Sequence, residues 1–529
     1  MFDLILHGGS IVDGSGTRAF RADVAIKGDS IVRIGDCADS DAQLRLDCTG
    51  LIVAPGFIDM HGHSDEVLLA LPTADSKIRQ GITTEVGGNC GSSPGPLAPA
   101  MLERRRAELT LHYGLDTSFR SLGGFLDQLE RSRCALNFCC FAGLGNTRAA
   151  CGAVRPQRLD ARALDRQCAL VKEACAEGAI GVSSGLIYQP GSFADSAELC
   201  ALAAAAAAAG SPLYASHIRS EGDRLDEAVE EALEIGRRSG AAVQLSHHKA
   251  AGRRNWGKVH GTLQSVERAR AAGVDVVLDQ YPYTASNTSL SVILPADVNV
   301  GTPQEVAARL ADAGYRARVA ARVEADYAGR WESVIVSTVA HAANASCEGM
   351  SLAAIASARG TAPADAALEL LAAERLDVSA IYFTMCEADV RTVLSYAHTC
   401  IGSDASARAV SGATARGRPH PRAYGTFPRI FGRYVRETGL LTLEEAVRKA
   451  TSLPAARLGL HRRGVLQAGW YADIVVFDAS CVNDKATYEQ PHQYPQGVPH
   501  VIVNGVVVVR DDHITKALPG RVLRRGRDL

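Results

Sequence analysis

The 529-residue chain has no long apolar run, no paired-cysteine motif and no surplus of positive charge. Its most alanine-rich stretch, residues 201–209, falls well short of the ~20 apolar residues that a membrane-spanning helix needs, so no membrane association is expected. Lys and Arg total 56 against 58 Asp and Glu, a formal net charge of −2, which argues against a nucleic-acid partner. The fourteen cysteines are scattered without CxxC spacing. The first residues lack the basic start and apolar core of a secretory signal, so reduced thiols in a cytoplasmic protein are expected. The one basic run, residues 521–527, reads as a solvated tail. An apolar fraction of 47% and a charged fraction of 22% are ordinary for a soluble globular protein. The length suits one large barrel plus a satellite, and the composition leaves homo-oligomerisation open.

Residues 1–54 read as short strands separated by glycine-rich turns, and residues 463–529 look alike. Neither end can bury two faces alone, so the two are expected to form one small β-sandwich domain. Residues 55–462 alternate short apolar strands with longer helical segments such as 199–209, 224–239 and 261–272. Strands are expected to end at His61 and near Gly87, and to cover 135–141, 179–183, 213–217, 242–247, 274–281 and 399–404. Eight such repeats predict an α/β fold, a (β/α)8 TIM-like barrel, with a small insertion at approximately 290–344 between barrel strands seven and eight.

Catalytic groups in such barrels sit at the C-terminal ends of strands. His61 and His63, two apart in an extended chain, point to the same side. Strand two leads to Cys90, strand five ends in His217, strand six in His247-His248-Lys249 and strand eight in Asp404. Parity favours His247 over His248, because it shares a side with Val243 and Leu245. Imidazole and thiolate on one rim suit Zn²⁺ over Mg²⁺ or Ca²⁺, which prefer oxygen. Taken singly, Cys90 could be a buried hydrophobe, His217 a core histidine and Asp404 a helix cap. Six such coincidences on one rim favour a site.

Several motifs carry a resemblance. Val53-Ala54-Pro55-Gly56-Phe57-Ile58-Asp59-Met60-His61-Gly62-His63 is similar to the entry motif of the amidohydrolase superfamily. Gly88-Asn89-Cys90-Gly91, Ser246-His247-His248-Lys249, Tyr281-Pro282-Tyr283, Met385-Cys386-Glu387 and His420-Pro421-Arg422 resemble the N-acyl-D-amino-acid deacylases, or D-aminoacylases. Many amidohydrolases bridge two metals with a carboxylated lysine on strand four, but Gly181-Val182-Ser183-Ser184-Gly185-Leu186 has none. The resemblance implies that Cys90 takes that part, with a tight zinc on Cys90, His217 and His247. His61, His63 and Asp404 then mark a second, weaker metal position. It further implies hydrolysis of small N-acyl-D-amino acids by a zinc-activated water, with Asp404 as general base and acid and a rim histidine, His61 or His63, beside it. Lys249, Tyr188, Tyr281, Tyr283 and Met385 are the implied substrate contacts. The chain departs from the family's pattern at Gly62, at Ser220 and in a longer loop after Asp404, where the arginines of 406–419 and Arg422 are available. A cyclic amidase of dihydroorotase or hydantoinase type is the alternative, disfavoured by Cys90 and the lysine-free strand four. An inactive barrel scaffold is disfavoured by the six intact candidate ligands.

Overall fold

The computed structural model describes residues 1–529. Eight parallel strands form its barrel: Phe57–Asp59, Ile82–Gly87, Asn137–Cys140, Gly181–Gly185, Leu213–His217, Ala242–Leu245, Val276–Gln280 and Thr399–Ile401. Ala142–Gly143 continues strand three onto strand four. Met60 N donating to Ile401 O at 3.3 Å, and a parallel bridge between Gly62 and Ala405, close strand eight onto strand one. Covered by helices outside and side chains inside, these strands are buried along almost their whole length, as parallel strands must be.

The helices follow local rules. Leu225–Ser239 buries Leu225, Ala228, Val229, Ala232, Leu233 and Ile235, one stripe at helical spacing, against the barrel. Asp226 and Glu227 occupy its first turn, Arg237 and Arg238 its last, matching the helix dipole, and Gly240 ends it in the left-handed region at φ 71°. Ser196–Ala208 starts at the Asp195 cap, whose carboxylate accepts from Glu198 N at 2.8 Å.

Strands from both chain ends share one nine-stranded sheet, joined where Ile52–Pro55 runs antiparallel to Ile474–Phe477. The sheet is branched rather than two separate layers, because Phe2–Ile11 pairs in parallel with both Ala42–Asp47 and Ile52–Pro55. It encloses one apolar interior that includes Leu6, Ile26, Leu46, Val53, Ile474 and Ile502.

The insertion is longer than expected. Val378–Tyr382 lies between Ser286–Ser289 and Val334–Val339 in an antiparallel sheet, so the unit cannot end at 344. Its own apolar core runs from Leu290 to Tyr382 and takes in the helices Pro303–Ala311, Ala313–Tyr327, Leu352–Arg359 and Pro363–Ala373.

The basic C-terminal run is not a free tail, although Arg521 and Arg527 remain exposed. Phe138 N donates to Arg521 O at 2.9 Å and Leu523 N to Phe138 O at 2.7 Å, so the tail pairs with barrel strand three. Val522 and Leu523 are buried, and Arg524 and Arg527 pair with Asp127 and Glu130. The adjacent apolar pair Val522-Leu523 within the basic run was the available signal. No helix is long and apolar enough to cross a membrane.

Candidate metal centre and active site

Strand ends carry the functional side chains through unusual backbone. Cys90, His247 and Asp404 all have positive φ, at 53°, 35° and 49°. Such a conformation costs a non-glycine residue on the order of 1–3 kcal/mol and persists only where its surroundings impose it. At Asp404 the imposing contact is its N–H donating to His61 O at 2.7 Å; at His247 it is the N–H donating to Asp279 Oδ1 at 2.7 Å. Asn89 holds the Cys90 turn by donating from Nδ2 to Val86 O at 2.9 Å.

Three imidazoles close on the Cys90 thiol. Its Sγ lies 3.3 Å from His61 Nε2, 3.5 Å from His247 Nε2 and 3.7 Å from His217 Nδ1. Burial opposes ionisation of the thiol, but His61, His247 and His217 outweigh it and hold its pKa well below the usual value. Asp404 Oδ1 sits 3.1 Å from His63 Nε2 and 3.7 Å from His61 Nε2, while its Oδ2 faces Arg422 Nη1 at 3.0 Å. Against the cost of burial, Arg422 first and then His247 and His63 keep Asp404 well below the ordinary carboxylate range. Burial likewise opposes protonation of His63, yet Asp404 and Cys90 raise its pKa to about 9. One potential donor atom from each of His61, Cys90, His247 and Asp404 fits within 4.8 Å of the others, as do those of His217, Glu221 and His247.

The amidohydrolase family model matches residues 46–111 and 145–509. An N-acyl-D-glutamate deacylase of Alcaligenes xylosoxydans xylosoxydans is 42% identical over 99% of this chain and 96% of its own length. A D-aminoacylase of the same organism is 40% identical, covering 99% and 98%. Among solved structures, the N-acyl-D-glutamate deacylase of Bordetella bronchiseptica, complexed with zinc and a phosphonate inhibitor, superposes with a TM-score of 0.84 at 36% identity over 99% of each chain. The chain belongs to the amidohydrolase family, in its D-aminoacylase branch.

In this amidohydrolase the barrel mouth holds a cavity of about 560 Å³, which His63, Cys90, Tyr188, His217, His247, Lys249 and Asp404 all help to line. His61 lies beneath it, fully buried. Tyr281, Tyr283 and Met385, expected as substrate contacts, stand behind the wall instead. Tyr281 Oη donates to Met385 Sδ at 3.7 Å, and its ring supports the Arg422 guanidinium at 4.6 Å. Tyr283 donates to Asp484 Oδ2 at 3.2 Å. Tyr281 thus buttresses Arg422, which does line the cavity.

Four supporting carboxylates, Asp279, Glu221, Asp59 and Glu85, were missed from the sequence. Asp279, fully buried on strand seven, lies 3.2 Å from His61 Nδ1 and accepts from Gln244 Nε2 at 2.6 Å, fixing the His61 ring. Its signal was a charged residue inside an otherwise apolar strand. Glu221 pairs with Lys249 Nζ and sits 2.9 Å from His247 Nδ1; its signal was the spacing of four from His217. Lys249 also lies 2.8 Å from His247 Nδ1 and donates to His247 O at 2.9 Å, so its ammonium is already engaged. Below the rim, Lys77 donates to Asp59 Oδ2 at 2.7 Å, Ser403 Oγ at 2.9 Å and Ala405 O at 2.7 Å, tying strand one to strand eight. Glu85 joins it at 3.2 Å and occupies the space a Cβ at position 62 would need, which explains Gly62 between the two histidines.

Proposed function

We propose that the chain hydrolyses the amide bond of N-acyl-D-amino acids, with zinc held by Cys90, His217 and His247 and a second, weaker position at His61, His63 and Asp404. The observation that carries this reading is a thiolate ringed by imidazoles beside a carboxylate, in a barrel whose fourth strand has no lysine. A tetrahedral zinc at about 2.3 Å from sulfur and 2.0–2.1 Å from nitrogen spaces those two donors roughly 3.5 Å apart. The Cys90 distances to His247 and His217, 3.5 and 3.7 Å, match that spacing. His217 Nε2 is buried without a hydrogen-bond partner.

When bound, zinc supplies Lewis-acid charge that acidifies water and polarises the acyl carbonyl. Asp404 takes one proton from the attacking water and later gives it to the departing nitrogen, which an amide requires because its anion is a poor leaving group. The C–O bond forms first, and the acyl C–N bond breaks once the nitrogen is protonated, yielding a carboxylic acid and a free D-amino acid. His63, beside Asp404 and part-exposed to the cavity, donates toward the oxygen on which charge develops. Arg422 and the Tyr188 hydroxyl meet the substrate α-carboxylate, with Lys249 supporting them from its pair with Glu221. All fourteen cysteines are unpaired, in keeping with a reducing, cytoplasmic setting.

The test measures free-amine release by zinc-loaded protein from N-acetyl-D-methionine and N-acetyl-L-methionine, and ring opening of a hydantoin by the appearance of the N-carbamoyl amino acid. Turnover of the D-enantiomer above the others supports the reading. Turnover of the ring alone makes the chain a cyclic amidase and overturns it.

A further inference from the structure

We infer that Arg408 forms a second anion-binding point in the cavity, which selects substrates carrying another carboxylate besides the α-carboxylate. The inference rests on the deacylase reading above and adds a substrate class to it.

Charge accounting around the cavity singles this residue out. Five cationic side chains help to line it: Arg104, Arg105, Lys249, Arg408 and Arg422. Four have a carboxylate partner within 3.1 Å, namely Glu108, Glu66, Glu221 and Asp404. Arg408 has none. Its only side-chain hydrogen bonds run from Nη1 to the carbonyls of Thr414, at 3.4 Å, and Arg416, at 3.1 Å, which leaves Nε and Nη2 without partners. Arg408 is part-buried, and a part-buried guanidinium without a counter-ion gains from an anionic group on the ligand.

The mount is rigid. Arg408 N donates to Ser76 Oγ at 3.0 Å and its carbonyl accepts from Ser76 N at 2.9 Å. Ala407 N donates to Ser64 Oγ at 2.8 Å, Ala409 N to Thr414 Oγ1 at 3.0 Å, and Tyr424 Oη to Ala409 O at 2.8 Å. The backbone on each side of Arg408 is therefore fixed to three different parts of the barrel mouth. Ser406, two residues earlier, donates to His63 O at 2.6 Å, so the same loop carries Arg408 and braces the metal rim. A preorganised guanidinium aimed at a carboxylate gives a charge-assisted contact whose loss costs about ten- to a hundredfold in binding. The bland alternative is that Arg408 merely ties the 405–419 loop together. That role would change the turnover of all substrates alike.

The second carboxylate can sit on the amino-acid side chain or on the acyl half, and the substrates chosen separate these sources. Zinc-loaded enzyme is assayed for kcat/KM with N-acetyl-D-glutamate, N-succinyl-D-leucine and N-acetyl-D-leucine. Wild type should prefer one of the two dianionic substrates, and which one identifies the half that Arg408 reads. In Arg408→Met the ratio of that substrate to N-acetyl-D-leucine should fall about ten- to a hundredfold, with Arg408→Lys in between. If Arg408→Met does not fold, Arg408→Lys and wild-type competition still decide: D-glutamate or succinate should inhibit more strongly than D-leucine or acetate. A preference of wild type for N-acetyl-D-leucine, or a ratio unchanged in both variants, overturns the inference and leaves the deacylase reading intact. No turnover of any of the three overturns both.

Discussion

Arg422 Nη1 and Asp404 Oδ2 face each other at 3.0 Å, a buried ion pair between the residue proposed to bind the substrate carboxylate and the residue proposed to move the proton. The guanidinium is braced from behind by the Tyr281 ring and donates from Nη2 to Asn287 O at 3.1 Å. On the proposed reading, this one side chain joins the substrate's fixed end to the reacting end of the site.

Arg422→Met should therefore reduce kcat/KM for an N-acyl-D-amino acid by about a hundredfold or more, the scale of a lost charge-assisted contact plus an unpaired buried carboxylate. The decisive comparison uses a substrate whose α-carboxylate is capped as a primary amide. Wild type should lose most of its activity on it, while Arg422→Met should lose little further. Equal losses from capping in both proteins would assign the α-carboxylate to another residue.

Lys77 is fully buried between Asp59 and Glu85, and removing a single member of such a network leaves uncompensated charge. Lys77→Met is expected to cost about 3–5 kcal/mol, read as a marked drop in melting temperature. Turnover should fall further than folding alone explains, since Asp59 and Ser403 hold the strand ends that carry His61 and Asp404. Melting close to wild type would show that the network is dispensable.

How much of this was legible in the sequence depends on what each residue does. The barrel strands could be read because parallel strands buried on both faces are continuous apolar runs, and the rim residues because they end those runs. His61, Cys90, His217, His247 and Asp404 are soft or charged groups at places where apolar residues are the rule. Asp279, Glu221 and Lys77 act through other side chains, and nothing in their local spacing reveals which partner lies across the barrel. Tyr281 and Tyr283 have the right chemistry for substrate contacts, but packing against Arg422 and Asp484 decides their place. The C-terminal tail was misread because its arginines dominate its composition, while two buried residues, Val522 and Leu523, dominate its contacts.

Deleting residues 519–529 should accordingly destabilise the barrel rather than trim a loose end. The tail supplies the hydrogen-bond partner on the open side of Asn137–Cys140 and buries Val522 and Leu523, each worth roughly 1.5–3 kcal/mol on burial. A lower melting temperature and faster proteolysis are expected of the truncated chain. A truncation that melts with the full-length protein would mean that the pairing contributes nothing.

Lys449 offers a pH test remote from the metal site. Its side chain is fully buried and donates to the carbonyls of Tyr396 and Thr399, and burial pushes its pKa down to about 8. In the unfolded chain the value returns to ~10.4. Between these values the unfolded chain binds a proton that the folded chain has released, so this group makes stability rise as pH increases through that window. Below about pH 8 both states are protonated and the penalty is constant. Relative to Lys449→Met, wild type should gain stability from pH 8 to pH 10 in parallel denaturation series. A difference that is flat across that range would place the lysine's pKa near its ordinary value.

The most direct measurement of the proposed centre is the zinc content of purified Cys90→Ala and His61→Ala beside wild type. Wild type and His61→Ala should each retain about one tightly bound zinc per chain, with His61→Ala losing turnover, whereas Cys90→Ala should retain none. Equal loss of zinc from both variants, or full retention in Cys90→Ala, would contradict a metal anchored by the strand-two thiolate.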